Sequence, residues 1–180
     1  VRIVAVSGGL GSPSSTRLLA DRLLAQVDRQ LRDAGDQAEI TVIELRELAV
    51  PIANHLVTGF SEPKLSEALA AIRAADGVIA VTPVFNGSMS GLFKSFFDLL
   101  TAEDLVGVPI VLGATGGSAR HSLVIDFALR PLFAYLRAQP LSTGIFVATA
   151  DWGADQQSDA RDGVEARAAR VATEFAAALR

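Results

Sequence analysis

The chain has 180 residues, about half hydrophobic and a fifth charged, which predicts one domain over residues 1–180 with a sizeable core. A formal net charge of −4 provides no basic face for nucleic acid, and the absence of cysteine excludes disulfides, thiol catalysis and cysteine-bound metal. The two histidines, His55 and His121, are too few and too far apart in sequence to favour a metal site. No signal peptide or long apolar span is recognisable, so we expect a cytoplasmic protein without a membrane partner.

The first 27 residues have the order of a phosphate-binding strand–loop–helix unit. An apolar, β-branched run ends at Ser7, a loop rich in glycine and hydroxyl groups covers residues 7–16, and leucines then recur at helical spacing. Ser12 before Pro13 predicts a helix N-cap with proline at the first helical position. Free amides of the next turn would then face an anion such as a phosphate. Three hydroxyls would face it as well, those of Ser14, Ser15 and Thr16.

Two better-known phosphate loops are excluded for this segment. A Walker A loop requires G-x-x-x-x-G-K-[ST], and no lysine occurs before Lys64. A dinucleotide fingerprint requires G-x-G-x-x-G, and Ser14 stands where the third glycine should be. The loop offers hydroxyls instead, as flavodoxin-like proteins do for the phosphate of FMN. An ordinary capped helix after a glycine turn is the alternative interpretation.

The rest of the chain alternates apolar strands with helices. Residues 46–61 are predicted as a long loop with one helical turn at most, because Pro51, Asn54 and Gly59 break any period. Further strands are predicted at 39–45, 77–85, 108–114 and 144–150. Helices are predicted at 63–75, 90–100 and 118–138, the last interrupted or kinked by Pro131. A turn at 151–153 and a final helix at 158–180 complete the prediction.

This alternation predicts a doubly wound α/β fold of three layers. We expect a flavodoxin-like, five-stranded parallel sheet in the order 2-1-3-4-5, with ligands beyond the carboxyl ends of the strands. The loops after strands one, three and four have unusual, ligand-type sequences. They are called the first loop (residues 7–16), the second loop (82–91) and the third loop (114–120).

The second loop and the helix after it carry a recognisable pattern, TPVFNGSMSGLFKSFFDLL at residues 82–100. It resembles the T-P-x-Y-x-x-S-x-x-G-x-x-K-x-x-x-D-x-L signature of the NADPH-dependent FMN reductase family. With the first loop and the ATGGS…H…D-x-A-L-R-P stretch, the resemblance runs from residue 1 to about 152. Similar proteins include the flavin reductases that supply reduced FMN to two-component monooxygenases. The chain departs from the family pattern at two points. Many relatives have an arginine in the first loop, whereas here the nearest arginine is Arg17, and Phe85 stands where tyrosine is common.

The resemblance implies an NAD(P)H-dependent FMN reductase that uses FMN with NADPH or NADH. It also implies a homodimer or homotetramer and a transient monooxygenase partner. No catalytic side chain and no metal are expected, because hydride transfer to flavin is cofactor chemistry. Carried over by position, the resemblance assigns binding of the FMN phosphate to Ser7, Ser12, Ser14, Ser15 and Thr16. It assigns contacts with the flavin ring to Pro83, Val84, Phe85, Asn86, Gly87 and Ser88. The residues assigned to the flavin or nicotinamide edge are Thr115, Gly116, Gly117 and Ser118, and those assigned to the nicotinamide nucleotide are Arg120 and His121.

Two other functions stay open on the sequence alone. One is an FMN-bound reductase of quinones, azo dyes or chromate, and the other is a flavodoxin-like electron carrier that does not bind NAD(P)H. The net charge of −4 is modest for a long-chain flavodoxin, which weakens the second.

Several single residues have ordinary structural interpretations. Lys94 and Asp98 are spaced for a surface ion pair or a subunit contact, Arg120 and His121 are equally well explained as solvated, and Trp152 favours packing over covering a ring. The helix at 90–100 looks too apolar for one sheet face, which predicts a subunit interface with the 120–138 segment and Phe127. The apolar side chains in question are Phe93, Phe96, Phe97 and Leu100.

Overall fold

A seven-stranded sheet runs through the computed structural model, which describes residues 1–154 and 163–180. The strands are β1 Arg2–Ser7, β2 Glu39–Glu44, β3 Gly77–Phe85, β4 Ser88–Met89, β5 Pro109–Gly116, β6 Gln139–Pro140 and β7 Ile145–Ala148. The helices are α1 Ser15–Asp33, α2 Ala49–Thr58, α3 Pro63–Arg73, α4 Gly91–Phe97, α5 Arg130–Tyr135, α6 Asp151–Ala154 and α7 Val164–Ala178. Two 3₁₀ turns (Leu45–Leu48 and Ala119–His121) and a π-helical segment (Ile125–Leu129) complete the described elements.

The parallel part of the sheet has the predicted order. β2, β1, β3 and β5 lie side by side, and β7 pairs with the carboxyl half of β5, so the flavodoxin-like arrangement is confirmed. The expected count of five was too low by two strands of two residues each. β4 turns back antiparallel on β3, and β6 pairs with the beginning of β5 before the chain returns to the same edge as β7.

Both faces of the sheet are covered, as parallel strands require. Along β1, Ile3 and Ala5 belong to a core shared with α1 and α7, whereas Val4 and Val6 belong to the core on the opposite face. All four side chains are buried, so β1 is covered on both faces.

The opposite core also contains the phenylalanines of α4. Phe93, Phe96 and Phe97 are fully buried. The rings of Phe93 and Phe97 lie 6.3 and 4.8 Å from that of Phe133 of α5, and the ring of Phe96 lies 5.3 Å from that of Phe97. Leu100 is buried as well. The expectation that these four side chains reach beyond their own sheet face is therefore wrong, because α5 and the sheet cover them within one chain.

The prediction of a loop over residues 46–61 is wrong. The segment forms a 3₁₀ turn followed by α2. Pro51 lies in the first turn of α2, where an amide has no intrahelical partner, so proline does no harm. Gly59 ends the helix with a φ of 76°, a left-handed conformation that glycine adopts without strain. Pro51 and Gly59 therefore mark the two ends of α2, whereas Asn54 lies within the helix.

The start of α1 differs by two residues from the prediction. The N-cap is Ser14, not Ser12: Ser14 is extended, and its hydroxyl accepts a hydrogen bond from the Arg17 N–H at 3.2 Å. Pro13 therefore precedes the helix.

The predicted interruption near Pro131 is confirmed, but it takes the form of the π-helical segment just before that residue. In the last predicted helix, α7 begins at Val164, and residues 158–162 lie outside the described part of the chain.

Trp152 lies in α6 rather than in a turn, and its packing role is confirmed. Its ring lies 5.2 Å from the Arg22 guanidinium carbon and packs against the core shared by α1 and α7.

Within residues 1–154 and 163–180, none of the helices combines the length and hydropathy that a bilayer crossing requires.

Asp76 ties the start of β3 to β1 and generates a prediction about acid stability. Its carboxylate accepts hydrogen bonds from the Arg2 side chain at 3.1 Å and from the Arg2 backbone N–H at 2.7 Å, which hold the pKa of the Asp76 carboxyl below its ordinary value. Such a group stabilises the fold above its unfolded pKa and loses that effect as the pH falls through its folded pKa.

Asp76→Asn should therefore lower the free energy of unfolding at pH 7 and make it less sensitive to acid. Denaturant melts at pH 7 and pH 3 measure both effects. Asp33→Asn, at an exposed residue without an ion pair to any described side chain, is the control. Equal acid sensitivity in wild type and Asp76→Asn would contradict the interpretation.

Candidate functional site

The three unusual loops meet at one edge of the sheet because their strands are parallel neighbours. Ser7, the last residue of β1, is in register with Val81 of β3, and Pro83 is in register with Thr115 of β5. The Gly8 N–H continues the pairing with a hydrogen bond to the Val81 carbonyl at 2.8 Å. The predicted convergence of the three loops is thus present in the structure.

The first loop folds closely onto itself and onto the second loop. A Cβ atom on Gly9 would lie only 2.0 Å from the Ser14 hydroxyl oxygen, so no side chain fits there. A Cβ on Gly8 would lie 3.1 Å from the Phe93 ring and 3.4 Å from Pro83. These two glycines let the loop turn back toward the beginning of α1.

The beginning of α1 presents backbone amides without a competing carboxylate. No acidic residue occurs in the first turn, and Ser15 is exposed at the first helical position. The N–H groups of Ser15 and Thr16 have no intrahelical acceptor, as in every α-helix. This is the arrangement that binds anions at helix N-termini.

The hydroxyls of the first loop divide into two groups. Thr16 is buried, and its hydroxyl lies 2.8 Å from the Thr115 hydroxyl, so its side chain points to β5 rather than over the helix end. Ser7 is also buried, and the Ser14 hydroxyl caps the helix. The exposed hydroxyls are those of Ser12 and Ser15.

The second loop forms a β-hairpin with β3 and β4, which was not predicted. Asn86 and Gly87 have φ values of 48° and 82° and form a two-residue turn between Val84–Phe85 of β3 and β4. An Asn-Gly pair between apolar residues is the usual signal of such a turn. At its base the buried Thr82 hydroxyl accepts a hydrogen bond from the Ser90 N–H at 3.0 Å. The hairpin leaves Phe85 46% exposed beside Pro83 and Ser88.

The third loop approaches the hairpin from the other side. Gly116 lies against the Phe146 ring, Gly117 is exposed, and Ser118 accepts a hydrogen bond from Arg120 Nε at 3.0 Å. Gly87 and Ser88 share a surface cavity of about 540 Å³ with Arg120 and His121. The second and third loops are therefore two walls of one open site.

The charged side chains near the first loop belong to residues outside residues 7–16. Arg17 makes ion pairs with Asp21 at 2.8 Å and with Glu44, and the hydrogen bond to Asp21 raises the pKa of its guanidinium. A second arginine, Arg46, donates a hydrogen bond to the Gly11 carbonyl at 3.1 Å. Arg46 was missed because it lies 35 residues away in sequence, and no local motif marks it.

The remaining candidates have ordinary surroundings. Lys94 and Asp98 form an exposed ion pair one helical turn apart, as their spacing predicts. His55 Nδ1 lies 2.7 Å from the Ser61 hydroxyl. No group of three or more possible metal ligands occurs among the described residues.

An open parallel α/β sheet with three ligand-type loops at one carboxyl edge defines a flavodoxin-like nucleotide-binding protein. The family model for NADPH-dependent FMN reductase matches residues 1–153, and the chain belongs to this family. The predicted membership is confirmed, and it makes the chain an oxidoreductase whose cofactors are FMN and a reduced nicotinamide nucleotide.

Individual relatives agree with this membership. An FMN reductase (NADPH) from Pseudomonas aeruginosa is 37% identical over 99% of this chain and 91% of its own. The structure of an oxidoreductase from Corynebacterium diphtheriae is 41% identical, with a TM-score of 0.91 over 99% of this chain and 96% of that one. The apo form of the NADH:FMN oxidoreductase EmoB is 28% identical, with a TM-score of 0.84 over 99% of this chain and 90% of that one.

The site residues of this chain fit FMN. A phosphate dianion suits the open amides of Ser15 and Thr16, since no carboxylate competes in the first turn of α1. A flat ring suits the hairpin, which combines an apolar side chain, Phe85, with backbone polar groups at Asn86 and Gly87.

Proposed function

We propose that this protein is a flavin reductase that takes hydride from NADH or NADPH and hands reduced FMN to a flavin-dependent monooxygenase. Family membership and the convergence of the three loops at one sheet edge support the proposal. The observation that carries it is the open amide turn of α1 beside the exposed hairpin. In this proposal the amide turn serves as the anion site and the hairpin as the ring site.

In this proposal the first loop holds the FMN phosphate. The amides of Ser15 and Thr16 bind it, with the exposed hydroxyls of Ser12 and Ser15 as further donors. The Thr16 hydroxyl is paired with Thr115 and Ser7 is buried, so we do not assign either hydroxyl to the phosphate. The Ser14 hydroxyl accepts the cap bond from the Arg17 N–H and keeps its own proton as a further donor.

The second loop holds the flavin ring, and the third loop shapes the nicotinamide side. When bound, FMN supplies the hydride-accepting ring. The ring-facing residues are Pro83, Val84, Phe85, Asn86, Gly87 and Ser88. The residues that we assign to the nicotinamide side are Thr115, Gly116, Gly117, Ser118, Arg120 and His121. Thr115 acts indirectly, through its buried hydrogen bond to Thr16.

The phosphate assignment predicts the effect of one added charge. Ser15→Glu places a carboxylate at the first turn of α1, where it stabilises the helix by about 0.3–1 kcal/mol and repels a phosphate dianion. We expect the Kd for FMN to rise roughly tenfold or more, since like charges at short range cost about 1–4 kcal/mol.

Fluorescence titration of FMN measures this effect, and Ser15→Gln is the matched neutral control. Ser15→Gln should bind FMN within about threefold of wild type. If both variants bind FMN as wild type does, the phosphate lies elsewhere.

The reductase assignment is tested by following the flavin absorbance. In a stopped-flow experiment, NADH or NADPH should bleach FMN on the wild-type protein. Failure of both nucleotides to do so would contradict the assignment and favour an electron carrier.

Arg120→Ala should raise the KM for the nucleotide severalfold and leave the Kd for FMN unchanged. The Arg120 side chain bonds to Ser118 at the nicotinamide side and not to the first loop. A changed FMN affinity with an unchanged KM would contradict this role.

We also propose that the protein is a homodimer or homotetramer built on the segment from the π-helical turn to α5. Phe127 and Tyr135 are 78% and 79% exposed there, and Leu123, which lines the same surface cavity as Phe127, is exposed as well. Large apolar side chains exposed to this extent in one segment are typical of an interface.

Phe127→Asp should therefore shift the protein to monomer in sedimentation velocity at micromolar concentration. Val57→Asp, at an equally exposed apolar residue of α2, is the control and should leave the assembly unchanged. A wild-type monomer, or an assembly that resists Phe127→Asp, would contradict the proposal.

A further inference from the structure

Arg46 contacts the first loop from a neighbouring part of the fold. It lies on the 3₁₀ turn that follows β2, and the pairing of β2 with β1 brings this turn beside the loop that follows β1. Its Nη1 group donates a hydrogen bond to the Gly11 carbonyl at 3.1 Å. No other hydrogen bond between described residues reaches residues 9–13. Among the described residues, Arg46 is therefore the one side chain with a hydrogen bond to the tip of this loop.

The charge of Arg46 is less neutralised than that of Arg17. Arg17 is held by two carboxylates, those of Asp21 and Glu44. Arg46 bonds to a neutral carbonyl, and its nearest carboxylate oxygen, on Glu44, is 3.8 Å away, beyond hydrogen-bond distance. Because residues 7–16 contain no lysine or arginine, Arg46 brings a cation to a loop without one.

The two arginines border a surface cavity at the outer side of the loop. This cavity has a volume of about 280 Å³, and its walls include Ser12, Ser14, Arg17 and Arg46 together with the carboxylates of Asp21 and Glu44. Arg46 thus shares a cavity with Ser14, the N-cap residue of α1 that precedes the free amides.

We propose that Arg46 is a positioning residue for a phosphomonoester bound at the first loop. It acts through the Gly11 carbonyl, which it holds so that the loop leaves the α1 amides open, and it adds positive charge to that side of the site. The proposal rests on the proposed function, which supplies the phosphomonoester as the 5′-phosphate of FMN. The 2′-phosphate of NADPH has the same chemistry and must be distinguished by experiment.

The test compares FMN with riboflavin, which carries the same ring without the phosphate. Arg46→Met removes the donor and the charge, whereas Arg46→Lys keeps both a donor and the charge. We expect Arg46→Met to raise the Kd for FMN about tenfold and that for riboflavin less than about twofold. Arg46→Lys should recover most of the FMN affinity.

Arg29→Met is the matched control, since Arg29 is exposed on α1 and has no ion pair to a described residue. It should leave both affinities unchanged. Thermal melts establish that each variant is folded at the temperature of the titration.

Three results would overturn the proposal. The first is equal weakening of FMN and riboflavin by Arg46→Met, which would mean a general effect on the fold. The second is unchanged FMN affinity. The third is a raised KM for NADPH, but not NADH, with unchanged FMN affinity, which would assign Arg46 to the nucleotide. If wild-type protein binds no FMN, the proposed function itself fails, and the comparison with wild type distinguishes that failure from the others.

Discussion

The parallel register of β1, β3 and β5 is the constraint on which the whole site depends. Pairing Ser7 with Val81 and Pro83 with Thr115 fixes where each strand ends, and so where each loop begins. A shift of one residue in this register would also reverse the side-chain faces of a strand that is buried on both sides. The core of the sheet and the position of the site are therefore fixed by the same backbone hydrogen bonds.

The hydroxyl pair of Thr16 and Thr115 extends this constraint from backbone to side chains. Both residues are buried, one at the start of α1 and the other at the end of β5, and they are 99 positions apart. A buried hydroxyl without a partner is costly, so each threonine requires the other. The bond fixes the amide turn of α1 relative to the third loop.

The order of the parallel strands and the convergence of the loops were predictable because apolar runs and glycine-rich turns are local signals. Local propensity failed where tertiary packing decides. The α4 helix was expected to be too apolar for one sheet face because the sequence does not show that Phe133 packs on Phe93 and Phe97. The Thr16 hydroxyl appeared available because nothing near it in sequence indicates Thr115. The contact of Arg46 with Gly11 could not be predicted for the same reason, because the order of the strands, and not a local motif, brings the two residues together.

The partners of the three arginines near the site determine which of them can serve a ligand. An arginine paired with carboxylates must give up those contacts before it can turn to a phosphate, and this applies to Arg17 with Asp21 and Glu44. Arg46 is bonded to a backbone carbonyl, with the nearest Glu44 carboxylate oxygen 3.8 Å away, and Arg120 is bonded to a serine hydroxyl. Neither has a carboxylate within hydrogen-bond distance among the described residues, so neither must break such a bond to meet an approaching anion. Proximity alone favours Arg17, but these partners favour Arg46 at the flavin phosphate and Arg120 at the nicotinamide nucleotide.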